Sequence, residues 1–164
     1  MRKVIAFLIC VISLISPIIT IVRGIEFDQN CGGYLKQTAD ANSVELAIER
    51  LEKAISYVEA KDLTTGYTSI LWKTESDNIG FWYENLLTCR DELNDCINSS
   101  QFEKTNVLMK VRESLTDNGE KGTTLTVPNG ISRYPNNGVF AIFNTISVLL
   151  FVFGCCLFDE YLLF

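Results

Sequence analysis

Apolar and polar positions divide the chain into an apolar beginning, a polar middle and an apolar end. No residue from Val4 to Val22 is charged, Arg2 and Lys3 precede this stretch, and Arg23 follows it. A helix of this length reaches about 28 Å, close to the thickness of a bilayer's hydrocarbon core. The pattern predicts a transmembrane signal-anchor over residues 1–23. The alternative is a cleaved signal peptide, whose apolar core normally has about 7 to 15 residues.

A second uncharged stretch runs from Val139 to Phe158. Asn144, Thr145 and Ser147 are its polar interruptions, and four phenylalanines lie within it before its last residue. Such a stretch is typical of a transmembrane helix, so residues 139–158 are predicted to span a membrane and residues 159–164 to form a short tail.

Basic residues beside the first stretch predict its orientation. Arg2 and Lys3 lie before it and Arg23 alone follows it directly. Because cytoplasmic flanks carry the excess of Lys and Arg, the amino terminus is expected in the cytoplasm and residues 24–137 on the extracytoplasmic side of a plasma or inner membrane.

The polar middle shows helical periodicity in three segments. Apolar residues recur at intervals of three and four from Val44 to Val58, from Ile79 to Cys96, and around Leu108, Val111 and Leu115. Amphipathic helices of this kind must bury their apolar stripes against one another. We therefore expect a mainly α fold, with a small antiparallel bundle of about three helices in residues 24–118, flanked by the two hydrophobic helices.

Capping residues set the expected helix starts. Asn42 and Asp77 are predicted to cap the first two bundle helices, and Ser100 with Glu103 forms a capping box for the third.

Residues 119–138 are rich in Gly, Pro and Asn, which predicts a tether with turns. A possible short β-ribbon would pair Thr123–Val127 with Tyr67–Trp72.

Composition excludes several functions. The chain has 14 Lys and Arg against 20 Asp and Glu, no histidine, and a formal net charge of −6. Nucleic acid is not an expected partner because phosphate binding needs clustered basic residues. The absence of histidine from the sequence removes the usual general base and any triad built on it. No enzyme activity and no cofactor are therefore expected.

Three cysteines of the middle segment, Cys31, Cys89 and Cys96, are candidates for a disulfide. If Cys89 and Cys96 share a helix, they lie about 10 Å apart along its axis, which is too far for a bridge. A disulfide would then join Cys31 to one of them; the alternative is that all three are reduced. Three scattered cysteines without histidine do not supply a zinc site, so no metal is expected.

Phe81, Trp82 and Tyr83 form the densest aromatic cluster of the middle segment. Successive helical side chains turn by about 100°, so the three cannot all face one way. At least one is predicted to cover a second contact, such as a partner protein or the membrane surface, and these residues are the candidate partner-binding site. The alternative is that a small core absorbs all three.

The leading hypothesis is a non-enzymatic integral membrane protein that presents a small extracytoplasmic helical module for protein–protein interaction or self-assembly. Its expected partners are the lipid bilayer and a protein. The alternative is an oligomeric channel or membrane-permeabilising subunit, in which Asn144, Thr145 and Ser147 would form hydrogen bonds between copies.

Overall fold

The structure is a computed structural model that describes residues 2–119 and 122–159. Residues 160–164 of the predicted tail lie outside this part of the chain. The mainly α fold is confirmed, with one two-stranded antiparallel sheet among the described residues. The elements are α1 (Arg2–Ser13), α2 (Ile15–Phe27), α3 (Gly33–Ala39), α4 (Val44–Ala60), α5 (Ile79–Asp95), α6 (Gln101–Leu115), β1 (Thr116–Gly119), β2 (Gly122–Leu125) and α7 (Asn137–Asp159).

A single long helix from Lys3 to Ala39 contains α1, α2 and α3. Leu14 is a single turn residue that disturbs the regular α-helical pattern without ending the helix, within one turn of Pro17. Proline has no N–H and its ring crowds the preceding turn, which accounts for the disturbance at this place. A π-helical segment, Asp28–Gly32, joins α2 to α3 without ending the helix.

The periodicity of the sequence predicts its first bundle helix only from Val44 onward, and Gly32 and Gly33 lower the helix propensity of the preceding segment. The structure nevertheless continues the helix there. Phe27, Cys31 and Leu35 are buried and belong to the same core as α4. This apolar contact stabilises the helix despite its glycines, since tertiary burial outweighs local propensity. The long helix is thus the fourth member of the bundle.

The three predicted amphipathic helices are present as α4, α5 and α6. The stripe of α4 is buried as expected, and α5 buries the stripe predicted for it. In α6 Val111 and Leu115 are buried, whereas Phe102 is 74% exposed. The fully buried large side chains that define the core include Leu35, Leu51, Ile79, Leu86, Leu93 and Val111.

Two of the three predicted caps were wrong by one residue. Ser43, not Asn42, caps α4 by accepting a hydrogen bond from the Leu46 amide. Asn78, not Asp77, caps α5, because Asp77 ends a short 3-10 turn and Asn78 is the residue with extended backbone before the helix. The capping box of Ser100 and Glu103 is confirmed.

The β-ribbon exists, but its predicted pairing was wrong. β2 pairs with β1 in an antiparallel hairpin, with Thr116 opposite Leu125, and not with Tyr67–Trp72. Closing a short hairpin costs less chain entropy than pairing segments about fifty residues apart. Tyr67 instead forms an isolated bridge with Asn78, which closes its own loop.

The segment predicted as a tether packs on the bundle after β2. Ile131 is buried, and Val127 and Tyr134 pack against the core. The Tyr134 hydroxyl lies against Gly66, whose φ of +106° and lack of a side chain both favour glycine. This contact connects residues 64–68 to the segment that leads into α7.

α1 and α2 pack antiparallel against α7, and small side chains lie at the contact. A Cβ atom added to Gly154 would lie 2.6 Å from Cys10 Sγ and 3.4 Å from the Ala6 carbonyl oxygen. Glycine therefore permits this close approach of the two helices. Both the long helix and α7 are long and apolar enough to cross a membrane. We call α1, α2 and α7 together the apolar pair.

Leu51→Ala is expected to lower the free energy of unfolding by about 2–5 kcal/mol, because it leaves a cavity in the bundle core. Phe102→Ala is the matched control. Its side chain is mostly exposed, so its effect should stay within about 0.5 kcal/mol. Denaturant unfolding followed by circular dichroism of the detergent-solubilised chain measures both. Equal losses would contradict the assignment of the core.

Glu103→Gln is expected to reduce the loss of stability in acid. The Ser100 backbone amide and hydroxyl donate to the Glu103 carboxylate, and these bonds lower its pKa below 4.5. A lowered folded-state pKa contributes stability above about pH 4.5 that is lost as the pH falls through the folded value. Thermal midpoints from pH 7 to pH 3 measure this loss. An identical pH dependence in the variant would refute the contribution of the capping box.

Candidate functional site

The three adjacent aromatic residues of α5 lie in different environments. Trp82 is 5% exposed and belongs to the core, whereas Phe81 is 59% exposed. Tyr83 is half-buried, and its hydroxyl donates a 2.7 Å hydrogen bond to Glu59 on α4. The hydrogen bond to the Glu59 carboxylate is the largest cause that raises the pKa of Tyr83, and partial burial is the second. Trp82 and Tyr83 therefore hold α5 in the bundle, and Phe81 faces outward.

Phe81 lines a cleft between the start of α5 and the chain that follows β2. The cleft has a volume of about 400 Å³. Trp82 lines it as well, and its buried indole N–H has no acceptor within the described part of the chain. Apolar wall residues come from the other side of the cleft, namely Leu125, Val127 and Pro128.

Acidic and neutral polar groups form the rest of this cleft, which we call the Phe81 cleft. Glu75 and Asp117 line it, together with Asn78 and Asn85. No Lys or Arg is among its described lining residues. The cleft thus combines an exposed aromatic ring and apolar walls with negative charge, and it is complementary to a segment that carries apolar and basic side chains.

The three candidate disulfide cysteines are free and buried in the structure. The structure contains no bridge between any two of them, and a disulfide from Cys31 to Cys89 or Cys96 stays a prediction.

The thiols of Cys89 and Cys96 are poor nucleophiles at neutral pH. Burial is the largest influence on each and raises its pKa above 9. A thiolate rather than a thiol attacks substrates, so raised pKa values oppose thiol chemistry at these positions. Among residues 2–119 and 122–159, no group of three acidic or cysteine side chains is placed to hold a metal ion.

A polar contact joins the two halves of the apolar pair. Ser16 Oγ donates to Asn144 Oδ1 at 2.7 Å, and Asn144 Nδ2 donates to Thr20 Oγ1 at 3.2 Å. Ser147 is buried, and Thr145 Oγ1 donates to the Ala141 carbonyl of its own helix. At the end of the pair nearest the bundle, the Arg23 guanidinium lies 4.9 Å from the centre of the Phe140 ring.

The sequence analysis did not identify one exposed apolar segment, the Ile70–Trp72 loop. Leu71 and Trp72 are each 78% exposed, and Ile70 is also exposed. The sequence carries the signal as three consecutive apolar residues after Gly66 among Thr and Ser, but the same residues also fit the short strand predicted for Tyr67–Trp72.

Comparison with protein families, with curated proteins and with solved structures finds no match for this chain. The features of the structure that bear on function are the Phe81 cleft, the apolar pair and the Ile70–Trp72 loop.

Asn144→Val is expected to lower the stability of the apolar pair by about 0.6–1.7 kcal/mol, because it removes the bonds to Ser16 and Thr20. Thr145→Val is the matched control, since Thr145 bonds only within its own helix among the described contacts. Thermal unfolding in a mild detergent compares the two variants. A larger loss for Thr145→Val would contradict the assigned role of Asn144.

Proposed function

We propose that this chain is a non-enzymatic integral membrane protein that presents its helical bundle for protein–protein interaction. The observation that carries the proposal is the exposure of apolar side chains along both halves of the apolar pair, including Val4, Phe7, Ile12 and Ile21 on one half and Ile142, Val148, Leu149 and Phe153 on the other. Apolar surface of this extent is costly in water and is matched by lipid.

The contacts of the first helix favour a retained anchor over a cleaved signal peptide. Ser16 and Thr20 satisfy the polar side chain of Asn144 inside the pair. Removal of residues before Gly24 would leave that amide without these partners in hydrocarbon. The same helix also continues into the bundle core at Phe27, so the anchor and the module are one element.

The proposed orientation follows from the flanking charges. Arg2 and Lys3 favour a cytoplasmic amino terminus, which assigns the bundle to the extracytoplasmic side of a plasma or inner membrane. An antiparallel pair returns the chain to the side on which it began, so the end of α7 is also assigned to the cytoplasm.

The Phe81 cleft is the proposed partner-binding surface. An exposed aromatic ring beside apolar walls is the kind of anchor that concentrates binding energy in protein interfaces. Glu75 and Asp117 favour a partner segment with basic side chains next to its apolar ones. The indole N–H of Trp82 is a donor without an acceptor among the described residues, which supports a partner carbonyl at this cleft.

The channel hypothesis receives less support from these contacts. Asn144 forms its hydrogen bonds within the chain, Thr145 bonds to its own helix, and Ser147 is buried between the two halves of the pair. Asn144 and Thr145 are therefore already engaged in hydrogen bonds within the chain, and Ser147 is too buried to contact a neighbouring copy directly. A thiol enzyme is likewise opposed by the raised pKa values of Cys89 and Cys96.

Photo-cross-linking in native membranes tests the partner-binding surface. Benzoylphenylalanine replaces Phe81 in one variant and Phe102 in a matched control, since both residues are exposed phenylalanines on bundle helices. We expect a discrete protein adduct from position 81 that position 102 does not give, and loss of that adduct when Glu75 and Asp117 are both changed to Lys. Adducts of equal yield at the two positions, or none at position 81, would reject the Phe81 cleft as the site.

A further inference from the structure

The Ile70–Trp72 loop lies at the end of the apolar pair that meets the bundle. A Cβ atom on Gly138 would lie 3.7 Å from Ile70 Cγ2, and the loop shares a cleft of about 360 Å³ with Asn137 and Ala141. These residues form the first turn of α7. The exposed side chains of Val139, Ile142 and Phe143 follow directly on α7. The exposed apolar side chains of the loop therefore lie beside those of α7, and together they form one continuous apolar surface.

The cleft beside the loop also contains polar groups without partners. The Asn137 side chain donates to the carbonyl oxygens of Thr68 and Gly130, at 2.7 and 3.1 Å, which leaves its Oδ1 unpaired. The hydroxyl of Thr68 is buried without a partner, as is that of Ser69. Thr68 and Asn137 are both at least nine-tenths buried. Unsatisfied buried polar groups are costly, so their concentration at one cleft points to a polar ligand.

Two opposite charges line the same cleft. Arg133 and Asp77 are among its lining residues, together with Asn129. A guanidinium is suited to a phosphate group, and a carboxylate to an ammonium group. A zwitterionic phospholipid headgroup carries both of these groups. The apolar residues of the loop would meanwhile contact the acyl chains of the same leaflet.

We propose that the Ile70–Trp72 loop and the adjacent Arg133 cleft form a membrane-surface contact that inserts into the outer part of one leaflet and binds a zwitterionic phospholipid headgroup. This inference depends on the proposed membrane-spanning role of α7. Trp72 is the side chain best suited to this depth, because indole rings concentrate at membrane interfaces.

Packing behind the loop holds it in place. The Thr68 amide donates to the Asp77 carbonyl at 3.0 Å, and the Ile79 amide donates to the Gly66 carbonyl at 2.9 Å. Tyr134 covers Gly66 from the side of the 130s segment. The base of the loop is therefore fixed to both α5 and the segment before α7, and little chain entropy remains to be lost when its tip enters the leaflet.

The two tryptophans of the chain allow a direct test, because Trp72 is exposed and Trp82 is buried. The full chain carrying Trp82→Phe is reconstituted into phosphatidylcholine vesicles whose acyl chains are brominated near the headgroup. Trp72 fluorescence is expected to shift to shorter wavelength and to be quenched by bromine. The matched variant Trp72→Phe, which reports Trp82 alone, should show little quenching. The difference between the unaltered chain and Trp72→Phe gives the same quantity if Trp82→Phe fails to fold.

Arg133→Gln tests the headgroup site in the same vesicles. The Trp72 quenching should decrease with this variant, and also when phosphatidylcholine is replaced by a galactosyl lipid with the same brominated chains. Soluble inorganic phosphate should not compete, since the ligand is proposed to belong to the leaflet. Quenching that is indifferent to Arg133 and to the headgroup would overturn the headgroup site, and competition by phosphate would replace the lipid by a free anion.

Alkaline extraction of the vesicles separates this inference from the proposed function. If the chain stays in the vesicles while Trp72 is unquenched, the loop contact is refuted and the membrane-spanning role stands. If the chain is extracted, both are refuted.

Discussion

The continuity of the first helix from Lys3 to Ala39 is the constraint on which the rest of the structure depends. Its first half packs on α7, and its second half buries Phe27, Cys31 and Leu35 in the bundle. The π-helical segment Asp28–Gly32 joins the two halves by continuing the helical hydrogen bonding across Gly32. The position of the bundle relative to the apolar pair is therefore set by a helix rather than by a linker. In a membrane, this arrangement would hold the Phe81 cleft and the Ile70–Trp72 loop at defined depths relative to the bilayer.

The apolar pair itself depends on two features that have different physical origins. Gly154 allows close approach to Cys10 and Ala6, which favours dispersion contacts between backbones. Asn144 provides directional bonds to the opposite helix, and its amide would be costly to leave unpaired in lipid. Close packing stabilises the association of the helices, and the hydrogen bonds of the Asn144 side chain favour one register between them. Because the polar side chains are used within the chain, the outer surface of the pair is left mainly apolar, as a lipid-facing surface requires.

Much of the fold could be predicted from periodicity, and the errors have identifiable causes. The stripes of α4 and α5 and the capping box at Ser100 follow from local pattern, which the bundle preserves. The helical extension through Gly32 and Gly33 was missed because local propensity opposes it and only packing against α4 stabilises it. The predicted partner strand of the ribbon was wrong, because alternation of apolar and polar residues in a short segment does not identify the strand with which it pairs. For the candidate site, sequence showed that Phe81, Trp82 and Tyr83 must diverge, but which of them faces outward depends on the tertiary position of α5. Whether the Ile70–Trp72 loop is exposed depends likewise on tertiary packing, which the local pattern of apolar residues does not specify.

The central claim is that the two apolar helices cross one bilayer as an antiparallel pair, with the bundle on one side and the two chain ends on the other. Side-specific labelling tests it most directly. Single cysteines are introduced at Ser76 and at Lys3, in sealed membrane vesicles of known orientation, with the unaltered chain giving the background of its native thiols. A membrane-impermeant maleimide is predicted to label position 76 from the extracytoplasmic side only and position 3 from the cytoplasmic side only. Labelling of both positions from the same side, or recovery of the chain in the aqueous fraction without detergent, would contradict the account.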